Sequence, residues 1–169
     1  MDKPSYSLTS GDIYKFFNGK VKILTFKDIA KYDTLEELLY PYNRVVILFE
    51  RSKGVGHWTS LHKNRAGDIY FFDSYSIKPE NQLKYSAGKN RYLKQRQKTL
   101  LRLFDGHTVK YNPVALQAWK KGISTCGRWV ISRLSCDHLN SYEFANLIKS
   151  QTDNPDQFIT DATNNFLFD

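Results

Sequence analysis

The chain has 169 residues, of which 41% are hydrophobic and 15% aromatic, and its formal net charge is +8. This length suits a single domain with a packed core, and the composition excludes an intrinsically disordered chain. No run of about 18 apolar residues occurs, so we expect neither a membrane-spanning segment nor a membrane partner. The opening residues, MDKPSYSLTSGDIY, lack the apolar stretch of a secretory signal, so we expect a protein that is not secreted.

The charge is unevenly distributed along the chain. Residues 139–169 contain one basic and five acidic residues, so the part before them is more positive than the whole. Such a field attracts polyanions, nucleic acid above all, although a solvated lysine-rich surface would have the same composition. The two cysteines, Cys126 and Cys136, cannot form a disulfide scaffold. We therefore expect free thiols in a reducing compartment.

The first half of the chain predicts short helices followed by strands. LTSGDIYKFF predicts a helix capped by Thr9 or Ser10, and DTLEELLY predicts another capped by Asp33 or Thr34. RVVILFE is a compact run rich in β-branched residues, which is typical of a buried strand. HWTSLHK and DIYFFDS are separated by the polar loop NRAG, and this pattern predicts a β-hairpin.

The second half is dominated by helical patterns. NRYLKQRQKTLLRLF predicts an amphipathic helix over 90–104, and HTVKYN predicts a short strand. A loop over 112–125 leads to CGRWVISRL, a mostly buried helix, and two helices follow, NSYEFANLIKS and NPDQFITDATNNFLF. The sum is an α+β fold in which helices pack on a small mixed or antiparallel sheet. We expect one domain over 1–169, with a core roughly over 45–135 and a helical tail over 139–169.

Cys126 lies at the predicted start of a helix, where unpaired backbone N–H groups carry partial positive charge. That charge stabilises a thiolate, which is how reactive cysteines are made, and the same N–H groups can stabilise an oxyanion. Ser124 and Thr125 are natural capping residues, and Gly127 would let a substrate chain approach the sulfur. A lone cysteine is more often a buried core residue, so this segment alone leaves both interpretations open.

A thiolate nucleophile needs a base and an orienting acid. His57 begins a predicted strand after the flexible KGVG, and Asp73 ends the next predicted strand. Both lie six or seven residues from the NRAG turn, so the hairpin predicts that they lie roughly opposite each other. A surface histidine–aspartate pair would have the same spacing.

Gln117 lies in the loop before Cys126, where its side-chain amide would complete an oxyanion hole. An ordinary polar loop residue remains the alternative for this position. Cys136 and His138 have no partners at metal-ligand spacing, so we expect no metal site.

The ordered set His57-Trp58, Asp73 in YFFDSYS, Gln117 and Cys126-Gly127 resembles the adenain-like cysteine peptidases. These include the adenovirus maturation protease, the SUMO-deconjugating proteases and relatives in large DNA viruses, virophages and Maverick/Polinton elements. The resemblance covers roughly 45–135. It implies the adenain-like fold, with Cys126 as nucleophile, His57 as general base, Asp73 as orienting acid, Gln117 as oxyanion donor and Trp58 as a wall of the substrate channel.

Two features depart from the family pattern. The spacing between Gln117 and Cys126 is longer than usual, so either the loop bulges or another group is the donor. Relatives often have a glycine soon after the acid, where this chain has SYS after Asp73.

The resemblance implies amide hydrolysis through a thioester, after glycine or another small residue. The short basic chain favours a monomeric viral maturation protease that cuts capsid or core precursors in the virion or in the viral factory of the host cytoplasm. The alternatives are a deconjugase for SUMO- or ubiquitin-like modifiers, an acyltransferase of the same fold, and a basic nucleic-acid-binding protein without catalysis.

In adenovirus-type relatives DNA assists the protease, so we expect no cofactor other than DNA as an activator. One basic stretch free of acidic residues is the candidate DNA surface. On the predicted helix Arg91, Lys94, Lys98 and Arg102 would form one positive stripe, and a solvated helix face is the alternative. The whole stretch comprises Lys84, Lys89, Arg91, Lys94, Arg96, Lys98 and Arg102.

Overall fold

The computed structural model describes residues 4–167 and contains five strands and seven α-helices within that range. The strands are β1 (Lys22–Thr25), β2 (Arg44–Ser52), β3 (Val55–Lys63), β4 (Ile69–Phe72) and β5 (Val109–Tyr111). The helices are α1 (Ser10–Phe16), α2 (Leu35–Leu39), α3 (Pro79–Gln82), α4 (Lys98–Phe104), α5 (Cys126–Ser135), α6 (Ser141–Gln151) and α7 (Pro155–Leu167). Two 3₁₀ helices, Phe26–Lys31 and Leu83–Ser86, complete the α+β architecture.

The five strands form one mixed sheet whose order follows the chain, β1-β2-β3-β4-β5. Strands β2, β3 and β4 form an antiparallel meander, and β1 and β5 add in parallel at its two edges. The predicted hairpin is confirmed as β3 and β4. Strand β1 was not predicted, because KILT is too short to show a period by itself.

Helices cover both faces of the sheet, because strand side chains alternate between two apolar cores. On one face, side chains of the sheet such as Val46 and Leu48 pack with α1, α5, α6 and α7. On the other face, Val45 and Ile47 of the same strand pack with the 3₁₀ helix Phe26–Lys31, α2 and α4. The first core positions α5, which carries Cys126, against β3, which carries His57.

Several helix starts agree with the sequence prediction. Thr9 caps α1 in a reciprocal capping box with Asp12, and Thr34 caps α2 by accepting the N–H of Glu37. Asn140 forms a second capping box at α6.

The helix predicted over 90–104 is wrong in its first half, because α4 begins only at Lys98. The preceding residues form turns, and Lys94 has a positive φ of 55°, which no α-helix contains. Buried Gln95 gives the physical reason: its side chain accepts from Glu50 N–H and donates to Glu50 C=O. These bonds to strand β2 replace the helical pattern in this segment.

The C-terminal helices are part of the core. Phe144 and Ile148 of α6 and Ile159 of α7 are buried in the same cluster as Trp129 of α5. The guanidinium of buried Arg128 donates hydrogen bonds to α7 at Thr160 O, Thr163 Oγ1 and Asn164 Oδ1. Packing therefore extends well beyond 45–135. None of the helices in residues 4–167 has the length and apolar character that a membrane crossing requires.

Candidate active site

Cys126 is the first residue of α5, and its thiol faces the His57 imidazole of β3. Burial by itself raises the pKa of the thiol. A hydrogen bond and the charge of His57, together with the backbone N–H groups of Trp58 and Gly127, outweigh burial and lower the pKa below its ordinary value. The site therefore favours a thiolate, the form that attacks carbonyl groups.

His57 is almost fully buried, and burial alone would lower its pKa. Hydrogen bonds to Asp73 and Cys126, and the charges of both groups, raise the pKa of His57 to about 10. Nε2 of His57 lies 2.8 Å from Asp73 Oδ1, so the other ring nitrogen is left for the thiol. The His57 imidazole therefore lies between the Cys126 thiol and the Asp73 carboxyl group, and its raised pKa favours the protonated ring.

Asp73 is held on both carboxylate oxygens. Oδ1 accepts from His57 and from the Tyr75 N–H, and Oδ2 accepts from the Gln82 side-chain amide. The Asn112 side chain pairs with the Asp73 backbone, accepting its N–H and donating to its C=O. A buried carboxylate with this many donors has one fixed orientation toward His57.

The strand register differs from the prediction by two residues. Ser60 pairs with Phe72, so continuing the register by one residue places Asp73 opposite Thr59, two residues along β3 from His57. His57 and Asp73 were predicted to lie roughly opposite each other; strand β4 ends at Phe72, and the register places Asp73 diagonally across from His57. The two side chains nevertheless form a direct hydrogen bond.

Gln117 is buried beside the residue that follows Asp73. Its Oε1 accepts from the Ser74 hydroxyl at 2.7 Å, and its backbone N–H donates to Ser74 O. Because the amide oxygen is occupied by Ser74, the amide NH₂ is the end left to act as a donor. The long spacing from Gln117 to Cys126 is accommodated by turns in the loop, including Gly122 with a positive φ of 85°.

Capping at Cys126 differs from the prediction. Thr125 occupies the cap position without a side-chain cap bond, and its hydroxyl donates to Asp156 of α7. Asp156 also accepts from the Ala118 N–H and the Trp129 indole N–H. Asp156 therefore links the Gln117 loop and the start of α5 to α7. These hydrogen bonds, and not a side-chain cap, hold the start of α5 in place.

A cleft of about 500 Å³ opens beside Cys126. Trp58 lines it, as predicted for the channel wall, together with Leu8 from the N-terminal segment and Gly54–Gly56 from the β2–β3 turn. The space beside Gly127 is filled: a Cβ there would lie 3.0 Å from Leu8 Cβ and 3.3 Å from Trp58 Cδ1. Gly127 thus permits close packing of Leu8 and Trp58 next to the thiol.

The predicted basic stripe is wrong as a continuous helix face, because the helical turns it needs are absent before Lys98. Arg102 also turns inward and donates to the carbonyls of Ile29 and Tyr32. A different basic surface forms, which we call the basic groove. It has a volume of about 700 Å³, and its cationic lining residues are Lys27, Lys31, Arg91, Lys94 and Arg96.

The basic groove and the cleft share one lining residue, Asp28 of the 3₁₀ helix Phe26–Lys31. Lys27 and Lys31 were not predicted to belong with the later basic residues, because no local pattern links segments about 60 residues apart. Of the predicted basic residues, Lys84, Lys89 and Lys98 do not line the groove.

Four further site residues escaped sequence analysis: Leu8, Tyr75, Gln82 and Asn112. Tyr75, Gln82 and Asn112 all hydrogen-bond to Asp73. Of the four residues, only Tyr75 lies close enough to Asp73 in sequence to suggest a place in the site. In residues 4–167 no cluster of three or more histidine, cysteine or acidic side chains is arranged to hold a metal ion. Cys126 and Cys136 are both free thiols.

Over 164 residues the chain is 34% identical to the uncharacterized protein V9 of Sputnik virophage, with 93% of this chain and 94% of V9 covered. The chain belongs to the V9 family. The relationship spans almost the full length of both proteins.

No protein-family model matches the chain. Among solved structures, the central domain of the uncharacterized Lpg1148 protein from Legionella pneumophila aligns with a TM-score of 0.42 and 12% identity. That alignment covers 96% of this chain and 99% of the other, and at this score it supports no argument.

Proposed function

We propose that the chain is an adenain-like cysteine endopeptidase that cuts viral capsid or core precursors during virion maturation. The observation that carries the proposal is the contact series Cys126–His57–Asp73 at the start of a buried helix. A structural cysteine needs neither a buried histidine nor a buried aspartate behind it. Burying these ionisable groups costs free energy, and chemistry at the sulfur accounts for their presence.

The reaction proceeds in two steps. The Cys126 thiolate attacks the carbonyl carbon of the scissile amide and forms a C–S bond, while backbone N–H groups at the helix start and the Gln117 amide stabilise the oxyanion. The C–N bond then breaks, and His57 gives its proton to the departing amine. In the second step His57 takes a proton from water, the hydroxide attacks the thioester, and the C–S bond breaks to restore the thiolate.

The relationship to a virophage protein supports the viral setting of this proposal. The cleft beside Trp58 favours a flexible, extended polypeptide with small residues next to the bond that is cut. A maturation substrate of this kind is a linker or tail of a virion protein.

The proposal is tested with the purified protein and the structural proteins of a virophage particle. We expect discrete fragments from the wild type and from Cys136→Ala, and none from Cys126→Ala. Mass spectrometry of the new termini gives the cut sites. Cutting by Cys126→Ala, or no cutting by any form, would reject the peptidase.

Two alternatives of the same chemistry predict different products. A deconjugase would release an intact modifier from an isopeptide and leave linear virion proteins uncut. An acyltransferase would yield an acylated acceptor in place of a cleaved peptide.

We also propose DNA as a partner that binds the basic groove and assists the peptidase. Among the described residues, five cationic side chains and one acidic side chain, Asp28, line this groove. The Asp28 helix separates the groove from the cleft, so a bound phosphate backbone would lie directly behind the wall of the site.

This partner is tested by changing Lys27, Lys31, Arg91 and Lys94 to alanine. Binding to duplex DNA should weaken, and the slope of log K against log salt should fall by about one for each phosphate that the variant no longer neutralises. Lys120→Ala with Lys121→Ala is the matched control, because both residues are exposed and lie outside the groove. Equal binding by both variants would reject the groove as the DNA site. If the chain is a basic nucleic-acid-binding protein without catalysis, it should bind DNA, and Cys126→Ala should change no measured activity.

A further inference from the structure

A row of aromatic side chains runs outward from His57. The Tyr75 ring stacks on the imidazole with 5.0 Å between centroids and an interplanar angle of 20°. Trp119 contacts Tyr75 at 4.5 Å and Tyr85 at 5.3 Å, and the Arg51 guanidinium lies over the Tyr85 ring. We call Tyr75, Trp119 and Tyr85 the aromatic row.

The outer part of the aromatic row is exposed: Trp119 is 61% and Tyr85 49% accessible to solvent. Large aromatic rings that pack on one another and yet stay open to solvent form a contiguous apolar surface, which is typical of a binding site. The fold does not need them for its core, since none of the three belongs to either core cluster.

The aromatic row does not line the cleft. The cleft is lined by Cys126, Trp58, the N-terminal segment and the β2–β3 turn, and no member of the aromatic row is among its lining residues. Tyr75 is also close to the sulfur. Burial first, and then the Cys126 charge, raise the pKa of Tyr75 to about 12, so its hydroxyl stays protonated.

The chemistry of amide cleavage indicates which part of the substrate lies in the cleft and which lies beside His57. When the C–N bond breaks, the acyl part remains bonded to Cys126 Sγ, and the departing amine takes its proton from His57. The acyl part therefore occupies the cleft that borders Cys126. The departing segment lies on the side of His57, where the aromatic row begins.

We infer that the aromatic row binds the residues that follow the scissile bond, and that it selects an apolar or aromatic side chain there. This inference rests on the proposed peptidase function. It adds a substrate preference on the departing side, which the nucleophile, base and acid do not determine.

The probe is the peptide mixture from a tryptic digest of a bacterial lysate, incubated with the purified full chain. Mass spectrometry of new N-termini reads the residues after each cut, and new C-termini read those before it. The variants are Trp119→Ala, Tyr85→Ala and Trp119→Phe. Tyr142→Ala is the matched control, because Tyr142 is an exposed tyrosine on α6, outside the row. Cys126→Ala supplies the blank.

We expect wild-type cuts to be enriched in apolar and aromatic residues just after the bond. Trp119→Ala and Tyr85→Ala should lose that enrichment and cut about fivefold more slowly, while the residues before the bond stay the same. Trp119→Phe should keep most of the preference, and Tyr142→Ala all of it. The thermal unfolding midpoint of Trp119→Ala should equal that of the wild type, since the Trp119 side chain is exposed.

The contrary outcomes are distinct. Wild-type cutting with no preference after the bond, or with one that survives in both alanine variants, would overturn the aromatic-row assignment alone. No cutting beyond the blank would overturn the peptidase and the assignment with it. If Trp119→Ala leaves the cut sites unchanged but converts an oligomer to a monomer in gel filtration, the row is a contact between copies of the chain.

Discussion

Helix α5 and strand β3 pack together, and a cysteine and a histidine lie at or next to each end of this pair. At one end Cys126 begins α5 opposite His57; at the other Cys136 follows α5 and His62 lies near the end of β3, and the charge of Arg133 acts on both. The pKa of Cys126 is lowered, whereas burial raises the pKa of Cys136. The pKa values of the two cysteines are therefore shifted in opposite directions.

The histidines differ in the same way. Hydrogen bonds and charges of Asp73 and Cys126 overcome burial and raise the pKa of His57 to about 10. Burial, then the positive charge of Arg133, lower the pKa of His62 to about 3 despite the Asp137 backbone. Burial lowers the pKa of both histidines; Asp73 and Cys126 reverse that effect at His57, whereas Arg133 adds to it at His62.

The largest expected effect separates the two thiols. Cys126→Ala should lower peptide cleavage by at least about 10³-fold, because the nucleophile is lost, whereas Cys136→Ala should leave the rate nearly unchanged. Alkylation by iodoacetamide at pH 6, followed by peptide mass mapping, should label Cys126 first. Preferential labelling of Cys136 would contradict the contrast between the two ends.

The next effect separates the histidines as supports of the thiolate. In His57→Ala burial of Cys126 is no longer opposed by the imidazolium, so the pKa of the thiol should rise. Alkylation of Cys126 at pH 6 should then slow by about 10²-fold. His62→Phe is the matched control and should leave the alkylation rate unchanged, because His62 lies at the other end. A His57→Ala variant with the wild-type alkylation rate would show that the helix start alone sustains the thiolate.

The lowered pKa of His62 should make the stability of the fold sensitive to acid. In the unfolded chain His62 takes a proton near pH 6.5, but in the folded protein only near pH 3, so stability is lost as pH falls between these values. The loss attributable to His62 should reach about 3 kcal/mol at pH 4. Urea unfolding from pH 7 to pH 4 measures it, and His62→Phe should flatten the curve by this amount. His138→Phe, at an exposed position, should not; equal curves for both variants would refute the assignment.

The smallest effect concerns the group that holds Asp73. Gln82→Leu removes the donor to Asp73 Oδ2 and leaves that oxygen unpaired, so Asp73 should orient His57 less well. We expect Cys126 alkylation at pH 6 to slow by about tenfold, with a pH profile shifted toward higher pH. Gln97→Leu, at an exposed glutamine, is the control. A Gln82→Leu profile identical to that of the control would remove Gln82 from the site.

Local patterns predicted the elements that carry the candidate site. Strands β2, β3 and β4 and helix α5 follow from apolar runs and from turn and capping residues near in sequence. The order of His57, Asp73, Gln117 and Cys126 was also readable, because each lies at the end of an element or in the loop before one. The hydrogen bond between His57 and Asp73 needed only the hairpin, and an error of two residues in register did not remove it.

Tertiary structure decided what surrounds these residues. The Gln95 side chain hydrogen-bonds to the Glu50 backbone, 45 residues away in sequence, and the helix that local periodicity predicted does not form at Gln95. Leu8 reaches Trp58 across 50 positions and forms a wall of the cleft, and Asp156 holds Thr125 from 31 positions away. Sequence determined which groups could react, because helix and strand ends are local features. Only the fold determined their charges, because burial and the approach of Asp73 or Arg133 depend on contacts between distant segments.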